Sequence, residues 1–167
     1  IVPPGLPALM AKAEGVTIRA DARFTGLMET GSLVTGVRIG SGERIEADEP
    51  APAFTLTDQD GKRVALKDLR GAPVVLTFLY TTCTDVCPVL LHVLMSAKQL
   101  LAEDERDAVR FVGISVDPKR DTPQRLKAYM KERGLDPARW LLLTGSLAEA
   151  TRVAADYGVV VRPAPRS

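Results

Sequence analysis

The 167 residues carry 22 Lys and Arg against 21 Asp and Glu, a formal net charge of +1, with 46% apolar residues. This is ordinary globular composition with material for a core, and the charge balance argues against a dedicated nucleic-acid or anionic-membrane surface. No run approaches the roughly 20 apolar residues that span a bilayer, and no basic-then-apolar leader opens the chain; a start at Ile1 without an initiator Met reads as processing or trimming.

In chain order, the first signals are short and Gly-broken. Gly15-Val16-Thr17-Ile18-Arg19 and Ser32 to Ile39 (SLVTGVRI) read as strands, the second with the alternation of a half-buried one. A Pro-punctuated hinge, Glu49-Pro50-Ala51-Pro52, follows the acidic residues Glu46 and Asp48. Residues 1–48 therefore read as a small β-rich segment with too little core to fold alone, and 49–167 as the main domain.

Downstream, Phe54 to Thr57 and Arg63 to Leu66 flank Asp58-Gln59-Asp60-Gly61, a hairpin signal. Pro73 to Tyr80 (PVVLTFLY) lacks alternation and reads as a strand buried on both faces. Pro88 to Leu101 is helical in period with one fully charged residue, Lys98, so a helix buried on most sides is expected. Val109 to Val116 is a second buried strand. Thr122 and Pro123 suit the cap and first position of a helix that stops near Gly134. Trp140 to Thr144 is a third strand, and Ser146-Leu147-Ala148-Glu149 is a capping box opening a helix to about Tyr157. Strands alternating with helices imply an α/β fold with parallel strands.

The chain has two cysteines, Cys83 and Cys87, four apart between a strand and a helix. Unpaired amides and the positive end of the helix dipole favour a thiolate there. With the first turn beginning near Thr84, both sulfurs fall on one helical face. Two converging thiolates are soft donors that select Cu(I) over hard cations; the same pair can close into a disulfide. Copper binding, redox exchange and an inert staple are three readings of one spacing. At about 100° per residue the one histidine, His92, lies roughly 140° around the helix from Cys87 and about opposite Cys83, which argues against ligation.

Phe78-Leu79-Tyr80-Thr81-Thr82-Cys83-Thr84-Asp85-Val86-Cys87-Pro88 closely resembles the signature of the Sco/SenC family, and Val112-Gly113-Ile114-Ser115-Val116-Asp117-Pro118-Lys119-Arg120-Asp121-Thr122-Pro123 resembles its second block. The lead-in Pro52-Ala53-Phe54-Thr55-Leu56-Thr57-Asp58 also fits, so the likeness covers roughly residues 50 to 160 in order. It implies a thioredoxin-like fold and a copper chaperone that binds Cu(I) through Cys83 and Cys87 and helps assemble the copper centre of cytochrome c oxidase. The alternative it implies is a thiol-disulfide oxidoreductase acting on the cysteines of a copper-site partner. The implied partner is the oxidase subunit carrying that centre, or another periplasmic copper protein. The implied location is the periplasm or the outer face of the cytoplasmic membrane, with any tether outside this chain.

Asp117 is the second block's candidate near the site, with a turn role before Pro118 as its other reading. The family's third ligand, a histidine, is expected after Tyr157-Gly158-Val159. Here the chain runs Val161-Arg162-Pro163-Ala164-Pro165-Arg166-Ser167 and stops, so the last hairpin and helix of a thioredoxin fold are expected to be missing. Residues 5–10 and 26–34 faintly resemble part of a CusF-type copper-binding barrel. They offer Met10 and Met28 as thioethers, for which a core role is the commoner explanation.

Overall fold

A computed structural model describes residues 24–30, 33–39, 44–46, 51–99 and 103–161. The chain divides into two units, 1–51 and 52–167. In the first, β1 (Phe24–Thr30), β2 (Leu33–Ile39) and β3 (Arg44–Glu46) form an antiparallel sheet in that order. Strand β2 is the alternating run expected over 32–39; the run expected at 15–19 and Met10 lie outside the described residues. Met28 sits in β1 opposite Gly36.

The second unit is a five-stranded sheet in the order β5-β4-β8-β7-β6. Strands β6 (Val74–Leu79), β7 (Arg110–Ser115) and β8 (Trp140–Thr144) are parallel. The hairpin β4 (Thr55–Asp58) and β5 (Arg63–Ala65) joins antiparallel to β8. The hairpin turn is local chemistry. Asp58 Oδ1 accepts the amides of Asp60 and Lys62 at 2.9 and 2.8 Å, and Gly61 takes a φ of +82°, where other residues are strained.

Strand β7 explains why the buried strands show no polar alternation. Phe111 faces one apolar cluster, with Leu79, Leu126, Tyr129 and Trp140, while Val112 and Ile114 face the other, with Phe54, Leu56, Leu143 and Val153. Both faces are covered, so both need apolar side chains. Phe111 and Trp140 stack at 4.8 Å on the first face. Gly113 lies between them in sequence, where a Cβ would come within 2.7 Å of Leu79 and 2.8 Å of Leu142. Each fully buried Leu or Ile here contributes about 1.5–3 kcal/mol.

The first face is covered by α1 (Val86–Gln99) and α3 (Pro123–Glu132), and the second by α4 (Leu147–Asp156). Thr122 caps α3 by accepting the Arg125 amide, and Ser146 with Glu149 forms the capping box of α4. Both helix starts match the sequence expectation.

Three expectations need correction. The polar six-residue α2 (Glu103–Ala108) was not expected, because it carries no apolar stripe. Strand β6 is only half-buried apart from Leu79, since it is outermost among the described strands and pairs with β7 alone. Helix α1 starts at Val86, before Pro88, and buries only Cys87 and Leu91, with Leu94 packed partly behind them. It docks by one narrow i, i+4, i+7 stripe, leaving Val86, Val89 and Met95 exposed. Pro88 is tolerated because first-turn amides have no intrahelical acceptor to lose.

Candidate functional site

The site forms where β6 and β7 end side by side. Leu79 pairs with Ser115, and the Val116 amide donates to the Leu79 carbonyl at 2.9 Å. The chain then turns through residues 80–85, with the Cys83 amide donating to the Tyr80 carbonyl at 3.1 Å. The Cys87 amide donates to Cys83 Sγ at 3.2 Å. Because α1 begins at Val86, Cys83 lies before the helix and its sulfur takes the place of a capping oxygen. The shared helical face expected for the two sulfurs is therefore replaced by a cap. Both cysteines are free and buried.

The two thiols are electrostatically unlike. Burial opposes ionisation of Cys83, but hydrogen bonds from the Cys87 thiol and amide, the Asp85 amide and the Tyr80 hydroxyl outweigh it, holding the thiol below its ordinary value. Burial, then the hydrogen bond to Cys83, pushes Cys87 up to about 11. Hydrogen bonding to Cys83 in turn raises the Tyr80 phenol, whose ring stays partly exposed beside the pair. The arrangement offers one thiol disposed to ionise and one that holds its proton, with two soft sulfur donors converging.

Beneath the loop lies Asp121, fully buried. Its carboxyl accepts the Thr81 amide at 3.1 and 3.3 Å, the Thr81 hydroxyl at 2.5 Å and the Ser115 hydroxyl at 2.5 Å. One side chain thus ties the thiol loop, the end of β7 and the approach to α3. Sequence reasoning read the Asp-Thr-Pro run only as a helix start and missed this role, because nothing local marks an aspartate as buried. Asp117 has the turn role: its carbonyl accepts the amides of Arg120 and Asp121, and its carboxylate pairs with Arg120 at 2.8 Å. His92, on α1, is exposed, whereas Cys83 and Cys87 are buried; because Cys83 lies before the helix, the helical phase relates His92 to Cys87 alone. Among the described residues no three His, Cys, Asp or Glu side chains gather to hold a metal, and no helix is long and apolar enough to cross a membrane.

Residues 42–167 match the SCO1/SenC family model. The chain is 42% identical over 106 residues to the mitochondrial SCO1 homolog 1 of Arabidopsis thaliana, covering 64% of this chain and 31% of that protein. It is 35% identical over 92 residues to the SCO1 homolog of Bacillus subtilis, covering 55% and 47%. It thus spans less than half the length of these relatives. Among solved structures, it resembles Bradyrhizobium japonicum ScoI with copper bound at a TM-score of 0.62 and 38% identity, over 70% of this chain and 71% of that one. BsSco, a Sco-family cytochrome c oxidase assembly protein in which a disulfide switch was identified, matches at 0.59 and 31% identity, over 70% and 69%. The fold is thioredoxin-like α/β, and the chain belongs to the SCO1/SenC family.

Proposed function

We propose that this protein is a copper chaperone in which Cys83 and Cys87 hold Cu(I) and pass it, by ligand exchange, to a partner during assembly of the cytochrome c oxidase copper centre. The observation that carries the reading is the convergence of two free, buried thiols, with the Cys87 amide on Cys83 Sγ at 3.2 Å. Thiolates are the donors Cu(I) prefers, and two suffice for linear coordination. Relatives solved with copper bound support the same cargo. The partner is then the oxidase subunit bearing the centre, or another copper protein on the outer side of the membrane; mitochondrial and lipoprotein relatives support that placement. Titration of the reduced protein should give about one Cu(I) per chain, with binding lost in Cys83→Ser and in Cys87→Ser. Retention in either variant overturns the reading.

A second reading is thiol-disulfide exchange on a partner's cysteines, favoured by the inequality of the two thiols. Cys83 would attack as the thiolate and Cys87 would resolve the mixed disulfide. It predicts a measurable Cys83–Cys87 disulfide potential and stoichiometric reduction of a copper-site peptide disulfide. A pair that stays unreactive toward such a peptide rules it out.

A further inference from the structure

The loop that carries Cys83 turns only two of its side chains inward. Between β6 and α1, Tyr80, Thr82, Thr84 and Asp85 are exposed, whereas Thr81 and Cys83 are buried. What these two residues bond therefore decides how firmly the loop is held. Cys83 is held by its amide, on the Tyr80 carbonyl at 3.1 Å, and by its sulfur, which accepts the Cys87 amide at 3.2 Å. That sulfur bond belongs to the working site and changes whenever the sulfur takes a new partner. Thr81 is held by a tie that no change at either sulfur removes. Its hydroxyl donates to Asp121 Oδ1 at 2.5 Å, and its amide donates to the same carboxyl at 3.1 and 3.3 Å. Hydrogen bonds to a carboxylate are among the strong ones. Asp121 is fixed in turn: it accepts the Ser115 hydroxyl at 2.5 Å, and its own amide donates to the Asp117 carbonyl at 2.9 Å.

We infer that Thr81 is a positioning residue for the thiol pair: its hydroxyl, locked on Asp121, keeps Cys83 in register with the first turn of α1 while the sulfurs exchange partners. The inference rests on reading Cys83 and Cys87 as the Cu(I) ligands. Two donors held in place before the ion arrives bind it more tightly than two that must first be ordered, because the ordering entropy has already been lost. Without the hydroxyl the loop keeps only the longer amide bond at Thr81, and its next firm point upstream is Leu79, paired with Ser115 in the sheet. Ser115 supplies the contrast. Its hydroxyl meets the same carboxyl at the same distance, but it lies in β7, outside the loop, and it also accepts the Asp117 amide at 3.0 Å. Removing that hydroxyl damages the network at least as much and leaves the Thr81 anchor in place.

Thr81→Val, Thr81→Ser and Ser115→Ala in the full chain test it. In Thr81→Val, Cu(I) affinity, by competition with bicinchoninate, should fall about tenfold, the ordering of roughly one backbone residue. In the reduced, metal-free protein, solvent exchange of the Cys83 and Cys87 amide protons, read by NMR, should accelerate about tenfold, because these two bonds close the loop. Thr81→Ser keeps the hydroxyl and should return both quantities to the parent's values. Ser115→Ala should lower the urea midpoint at least as far as Thr81→Val does, yet leave affinity and exchange at the parent's values. Parent values of either quantity in Thr81→Val overturn the assignment and leave the copper reading standing. Equal losses in Ser115→Ala overturn it too, since the effect would then follow general damage to the network. A Thr81→Ser variant as impaired as Thr81→Val, or a Thr81→Val chain that does not fold, likewise overturns it. Failure of the parent protein to bind Cu(I) removes the copper reading itself, and this assignment with it.

Discussion

Asp121 is the place where the fold and the thiol loop are most directly joined, and replacing it tests that joint. In Asp121→Ala, three buried donors lose their acceptor: the Thr81 amide, the Thr81 hydroxyl and the Ser115 hydroxyl. A hydrogen bond to a carboxylate is worth about 1.5–3 kcal/mol, and an unsatisfied buried donor costs about 1–3 kcal/mol. The hydroxyls can turn toward other acceptors, but the amide cannot, so the simple sum is too large. A loss of about 3–5 kcal/mol is expected, a large part of the total stability of a domain this size. Asp121→Asn keeps one oxygen for Thr81 and offers an N–H that Ser115 Oγ can accept, so it should cost only about 1–2 kcal/mol. Urea unfolding of the reduced protein, followed by circular dichroism, measures both. Thr81 stands two residues from Cys83, so alkylation of Cys83 in the native state should also accelerate in the alanine variant. An alanine variant as stable as the parent, or an asparagine variant as damaged as the alanine one, refutes the account.

Glu149 is held at about 2, first by the Ser146 amide and hydroxyl and then by Arg63. A depressed carboxyl adds stability that is complete above its unfolded value of 4.5 and fades as the pH falls toward 2. With about a third of the side chain exposed, solvent screening limits this to about 1 kcal/mol. Acid titration of Glu149→Gln should therefore lack that part of the stability loss; identical acid profiles would contradict it. Gly113→Ala should cost about 1–3 kcal/mol in thermal or urea unfolding, because the new methyl meets Leu79 and Leu142 at once. A neutral effect would show that those two side chains yield freely. Finally, iodoacetamide at pH 8 should modify Cys83 before Cys87, the first being below and the second above the ordinary value of 9.0. Peptide mapping after partial reaction reads the order, and the reverse order would contradict the assigned roles of the two sulfurs.

The helix starts were legible because their chemistry is local: Thr122 before Pro123, and Ser146 three residues before Glu149, each satisfy amides within one turn. The buried strands were legible from unbroken apolar runs, and β7 shows why the runs are unbroken. The start of α1 was misplaced because Pro88 looks like a first helical residue. The actual start depends on a sulfur, not an oxygen, acting as the cap. The burial of α1 was overstated because composition does not say how wide the docked stripe is. The cysteine pair was found by its spacing and by family likeness, whereas Asp121 was not. Its importance comes from the hydrogen bonds it makes to Thr81, forty residues away in the chain, which no local pattern records.

The Cys87 amide bound to Cys83 Sγ has a consequence for how this protein can be observed. A thiolate sulfur is a good acceptor for that amide, whereas a sulfur committed to a disulfide or to a metal has less electron density to share. The first turn of α1 is thus a built-in gauge of what the thiols are doing. Its amide proton resonance and its exchange rate with solvent should change with each state of Cys83, reporting cargo and redox state from the backbone without a label on either sulfur.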